Sequence, residues 1–147
     1  MDRGAAVVLT ATAGGLIALQ APINSTLGRS VGTFQAAFLS FAIGTVALTV
    51  IAALAKGGLG QVGEARTLGW EYLIGGLLGA VYVTSVLVTV RSLGAGGVTA
   101  ATIAGQLSLS VAVDHYGWLG VDRSPITAIK VAGIVLLAVG VFLIVRD

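Results

Sequence analysis

The chain has 147 residues, of which 56% are hydrophobic and only 10% charged, with a mean hydropathy of +1.02. A soluble domain covers itself with about a quarter Asp, Glu, Lys and Arg, so this composition excludes a water-facing globule and leaves most of the surface to lipid. Cysteine is absent, which excludes disulfides and thiolate metal sites, and the net charge of +2 comes from single, scattered basic residues that form no patch for nucleic-acid phosphates.

A membrane-spanning helix needs about 20 mostly apolar residues, and five segments qualify. The first runs from about Gly4 to Leu27. Arg3 and a small-x-small pattern at Ala11 and Ala13 are reminiscent of a signal peptide, but the apolar run continues past them and further spans follow, so a retained span is expected. Gln20 and Asn24 are four apart and share one helix face. Pro22 lies between them, lacks an amide donor, and is expected to kink the helix and free backbone carbonyls at that depth. Two readings stay open: the amides satisfy those carbonyls, or they bind a ligand. Gly14 and Gly15, in mid-span, are candidates for a hinge.

A glycine-rich joint, Gly28 to Gly32, leads to the second span, about Thr33 to Ala55, where Ala36, Ser40 and Gly44 repeat every four residues. The longest joint, Lys56 to Gly69, is too short for a separate domain. The third span, about Trp70 to Val90, carries Gly75 and Gly79 as a GxxxG pair. Lipid gives helices no hydrophobic reason to associate, so such small-residue faces supply close packing. Trp70 and Tyr72 at this end, and Tyr116 and Trp118 further on, suit the headgroup layer. Glu71 reads as an interfacial charge favoured by a helix N-terminus.

After Arg91 to Gly96 comes the fourth span, about Gly97 to Gly117, with Gly97, Ala101 and Gly105 on one face. Gln106, Ser110 and Asp114 recur at i, i+4 and i+8, a polar stripe from mid-membrane to the interface. Asp114 is the one acid clearly within a span, and His115 beside it is the only histidine. Intramembrane charges mark pairs or pathways. Asp114 either pairs with Lys130, near the start of the fifth span, or binds a cation or proton; His115 reads as a capping residue. The fifth span, about Ile126 to Val145, has small residues at Gly133 and Gly140.

With five spans the termini lie on opposite sides. Arg3, Lys56, Arg66 and Arg123 then face Arg29, Arg91 and Arg146, with Lys130 joining the first group if it snorkels. Orientation follows an excess of Lys and Arg in cytoplasmic loops, and here that excess nearly vanishes. Either the chain inserts both ways round and pairs with an inverted copy, or it keeps one weakly biased orientation. The sequence has no second histidine, no embedded carboxylate pair and no phosphate loop, so neither an enzyme nor a cofactor or metal site is expected.

The strings Gln20-Ala-Pro-Ile-Asn24-Ser-Thr-Leu27-Gly28, Ala36-Ala-Phe-Leu-Ser40-Phe-Ala-Ile-Gly44 and Gly75-Gly-Leu-Leu-Gly79-Ala-Val-Tyr-Val-Thr84-Ser85 resemble the YdcZ-like inner-membrane proteins of the drug/metabolite transporter superfamily. Gly105-Gln106, Asp114-His115-Tyr-Gly-Trp-Leu-Gly120 and the Lys130 to Leu143 tail extend the likeness over nearly the whole chain. The resemblance implies an all-α, five-helix half-unit in the bacterial inner membrane, working as an antiparallel homodimer and exporting a substrate the family does not define. Small multidrug pumps of the superfamily carry a glutamate in mid first span. This chain has no acid between Asp2 and the end of that span, so proton-coupled cation export by that route is not expected, and neutral or anionic substrates are favoured.

The expectation is therefore one membrane domain over residues 1–147, a dual-topology secondary transporter. Gln20, Asn24, Ser40, Gln106 and Ser110 line the pathway; Asp114, Lys130 and His115 pair or couple; Gly44, Gly75, Gly79, Gly105, Gly133 and Gly140 pack helices. Its partners are lipid, a second copy and a small molecule. The rival is a non-transporting structural or regulatory subunit; a passive channel would need a ring of charge or a filter segment.

Overall fold

The computed structural model describes residues 2–55 and 57–146; Lys56, counted above in the charge balance, lies outside them. Four long helices carry the described chain, and no strand occurs among the described residues. The first, α1, spans Arg3–Val31 and is capped by Asp2, whose carboxylate accepts from Ala5 N at 2.9 Å. It stops at Gly32, where φ 99° and ψ 153° fall in a region open essentially to glycine alone. The helix thus runs through Gly28, which the sequence reading placed in a joint. Gly28 accepts from Gly32 N at 3.0 Å and stays helical because its missing side chain is needed for packing, as described below.

Helix α2 covers Thr33–Leu54. Exposed 3-10 turns follow at Gly60–Thr67 and Trp70–Tyr72, and the α-helical hydrogen bonding expected from Trp70 begins only at Gly75. Such turns commonly precede a helix, where the first amides lack partners. Helix α3 is assigned over Gly75–Tyr116, 42 residues, but Gly94 has φ 67° and ψ 169°. An unbroken helix of that length would measure about 63 Å, twice the hydrocarbon thickness. The glycine divides it into stretches 75–93 and 95–116, each close to the length a bilayer requires. Helix α4 covers Ala128–Arg146 and starts two residues later than expected, with Thr127 Oγ1 accepting from Lys130 N at 3.3 Å. Pro22 sits inside α1, which continues as one helix through it.

The described chain forms two compact units, one ending at Arg91 and the other beginning at Ser92. In the first, Ala36 and Ala37 of α2 meet Val83 and Leu87 of α3, with Leu27 and Tyr82 packed against them. Leu87 is fully buried. Ala36 also faces Gly28 of α1, and these small residues let α1 and α2 approach closely, the packing that replaces hydrophobic drive in lipid. The outward positions are apolar and bare: Phe34 is 73% and Ile129 85% exposed. In water such a surface would aggregate; in a bilayer it is the ordinary outer face of a span.

Candidate functional site

The polar residues of the first unit are sorted by depth. Asn24 and Ser25 are buried on α1, on the same face as Ala21 and Gly28. Asn24 Nδ2 donates to Ser40 Oγ of α2 at 3.2 Å, so two residues expected along the pathway do meet, tying the helices together. Among the described residues no other side-chain hydrogen bond involves Asn24, which leaves its oxygen and second N–H uncommitted. Beside it lies a cleft lined by Ile17, Gln20, Asn24, Tyr82 and Leu87, with about 10 Å³ of room, enough for the centre of a single water. Gln20 is exposed at its rim.

Pro22 has no N–H to give the Ala18 carbonyl one turn earlier, and its own carbonyl accepts from Thr26 Oγ1 at 3.0 Å. Gly28 holds the next turn: a Cβ there would lie 3.1 Å from Leu87 Cδ2, 3.5 Å from Arg91 Nη2 and 3.7 Å from Ala36 Cβ. It is the close-approach point of the unit. The signal for it was available in the Ala21, Ser25, Gly28 spacing of small residues along one helix face. Tyr82, the only aromatic residue in the middle of the 70–90 span, was also not singled out. On another side of α3, Phe34, Thr84, Ser85 and Thr89 border an open groove of about 570 Å³. Two of its hydroxyls are turned to the backbone, Ser85 to Val81 O at 2.8 Å and Thr89 to Ser85 O at 2.9 Å.

Of the packing glycines expected from the sequence, Gly79 stands against the Phe41 ring, where a Cβ would lie 3.3 Å from Cζ. A Cβ on Gly44, Gly75, Gly105, Gly133 or Gly140 would meet nothing within 4 Å, and the same holds for Gly14 and Gly15. Within its own unit, none of these glycines stands at a close contact. Gly97 does, since a Cβ there would lie 3.2 Å from Leu93 Cβ and 3.5 Å from Val145 Cγ2 of α4.

In the second unit Gln106 and Ser110 are exposed on the 95–116 stretch. Below them the chain builds a hydrogen-bonded corner that closes the end of α3. Gly117, left-handed at φ 68°, donates to Val113 O at 2.9 Å; Ser124 N reaches Asp114 O at 2.8 Å; Arg123 Nε reaches His115 O at 2.9 Å. These are the carbonyls a helix end leaves without partners. His115 Nδ1 accepts from Ile126 N at 3.2 Å, the capping role expected of it. Lys130 does not reach Asp114. Its Nζ donates to Ser124 Oγ at 2.8 Å, Pro125 O at 3.1 Å and Ser124 O at 3.3 Å. The returning 117–127 segment brings these oxygens to the ammonium first, which corrects the ion-pair reading within one chain. Tyr116 stacks on Trp118 with centroids 4.9 Å apart, both rings exposed as headgroup-level residues should be.

Long apolar helices with bare outer faces, amides and hydroxyls along them and charges at their ends define a multi-pass membrane protein. Residues 5–143 match the family described as "Putative inner membrane exporter, YdcZ", and the chain belongs to that family. It is accordingly a multi-pass protein of the inner membrane, and the family's description supports a transporter-like role. No curated protein and no solved structure matches the chain.

Proposed function

We propose that the chain is half of a secondary transporter, completed by a second copy inserted the opposite way, with Gln20, Asn24 and Ser40 on the ligand path and Gln106 and Ser110 extending it. The observation that carries this reading is the exposure of Gln20. Residues 3–31 form a helix about 43 Å long, and position 20 falls within its hydrocarbon-crossing part. An amide side chain there has no water to bond, so a polar partner or cavity must cover it. Gln106, equally exposed in the second unit, makes the same demand. An inverted copy meets it by facing these amides across a shared pathway, and the two-fold axis makes alternating access a matter of exchanging conformations between protomers. The near balance of basic residues between the two sides supports insertion in both directions. The glycines with nothing near them offer faces on which a second backbone could approach.

The rival reading, a subunit that transports nothing, draws on the Asn24–Ser40 bond, which could serve assembly alone. Substituting Gln20→Leu and Asn24→Leu separates them. In purified protein and in liposomes, transport predicts a folded bundle whose ligand-induced stabilisation or flux falls by about tenfold or more per lost hydrogen bond to ligand. A purely structural role predicts misassembly instead.

A further inference from the structure

We infer that the path through the first unit takes an uncharged ligand that both donates and accepts hydrogen bonds; this rests on the transporter reading above. The argument begins with where charge is missing. After Arg3 the next charged residue is Arg29, after Arg29 it is Lys56, and none stands between Glu71 and Arg91. Residues 4–28 of α1, helix α2 and the 75–90 part of α3 therefore carry no carboxylate, amine, guanidinium or imidazole. An ion that shed its water within these spans would meet no opposite charge there, and an unpaired charge is the costliest thing to hold in a low-dielectric interior. A ligand of either sign is disfavoured by its desolvation alone.

What the unit does offer is neutral and two-sided. Gln20 and Asn24 each present two N–H donors and a carbonyl acceptor, and the Ser40 and Tyr82 hydroxyls do both. Only one of the Asn24 donors is taken up, by Ser40 at 3.2 Å. Gln20, Asn24 and Tyr82 share one cleft with apolar side chains of α1 and α3. This is the pattern of a site that reads amide, hydroxyl or carbonyl groups on an otherwise apolar or polyol body. Such groups discriminate well, since a ligand lacking them leaves buried polar atoms unpaired.

Arg91 is the cation that the structure places against the α1 face carrying Asn24 and Gly28. Its Nη2 lies 3.5 Å from where a Gly28 Cβ would stand, one helical turn beyond Asn24. That position is in the last turns of α1, where carbonyl ends already draw a cation, and the side chain is exposed. An anionic ligand would depend on Arg91; an uncharged one would not.

The test uses the full chain in nanodiscs and near-isosteric probes of three charge classes: succinamide, succinate and 1,4-diaminobutane, followed by a metabolite-sized compound library sorted by the same classes. Thermal stabilisation is read at pH 6 and pH 8 for the wild type, Gln20→Leu, Asn24→Leu and Arg91→Gln, with monodispersity checked for each. Stabilising compounds are expected in the uncharged class, unchanged between the two pH values and in Arg91→Gln, and weakened about tenfold in either leucine variant. Hits that are anionic and lost in Arg91→Gln, or that are cationic, overturn the uncharged class while the transporter reading survives. Silence of every class on folded protein overturns the transporter reading, and the inference with it.

Discussion

At the scale of single residues, two positions on one turn-and-a-half of α1 divide the labour: Asn24 turns a polar edge toward α2 and the cleft, and Gly28 lets the helices close. Gly28→Ala places a methyl 3.1 Å from Leu87 Cδ2 and within 4 Å of Ala36. The expected cost is about 1–3 kcal/mol, the range for overpacking a tight contact, with Gly28→Leu failing to assemble. Gly14→Ala is the control: its methyl meets open space, so stability should hold or rise by up to about 1 kcal/mol from helix propensity. Unfolding in mixed micelles with increasing SDS measures both. Equal behaviour of the two variants would contradict the assignment of Gly28 as the contact point. The amides at 20 and 24 were legible as a pair because helical spacing is local. Ser40 as the partner of Asn24 was not derivable from spacing, since the meeting depends on how Gly32 turns α1 into α2. Gly28 was misplaced for a related reason: a glycine beside other small or polar residues marks a joint and a close approach equally well until Leu87 is located.

At the scale of elements, glycine conformation decides where spans end. Gly32 and Gly94 both occupy backbone regions that L side chains avoid. Gly94→Ala is expected to cost about 1–3 kcal/mol through strain alone, because nothing near the site would clash with the added methyl. The same SDS titration gives the value, and a change below about 0.5 kcal/mol would contradict a required break there. Hydropathy alone identified all the helical stretches, as lipid imposes a simple length and polarity rule. It did not locate which of several glycines in Arg91 to Gly96 would leave the helix, since each is permissive and only one needs to be used. The corner at the end of α3 shows what charge pattern misses. Asp114 and Lys130 stood at similar depth with opposite sign, yet the neutral oxygens of Ser124 and Pro125 hold the ammonium. A connecting segment that folds back can satisfy a cation before a carboxylate does, and its course is set by Gly117 and by bonds from Arg123 and Ser124 rather than by periodicity.

At the scale of the whole molecule, the proposed pairing with an inverted copy draws on exposed polar side chains within spans and on the near balance of basic residues between the two sides. The family match places the chain in the inner membrane and supports a transporter-like role; the inverted pairing is tested directly by topology. The chain contains no cysteine, so single cysteines can be introduced without background, at Gly63 in the long joint after α2 and at Ser30 in the last turn of α1. These positions lie on opposite sides of the membrane for any one insertion of the chain. In cells with a permeabilised outer membrane, a maleimide that cannot cross the inner membrane should label about half of the molecules at each site, because a dual-topology pair presents both ends outward equally. Near-complete labelling at one site with none at the other would contradict the account.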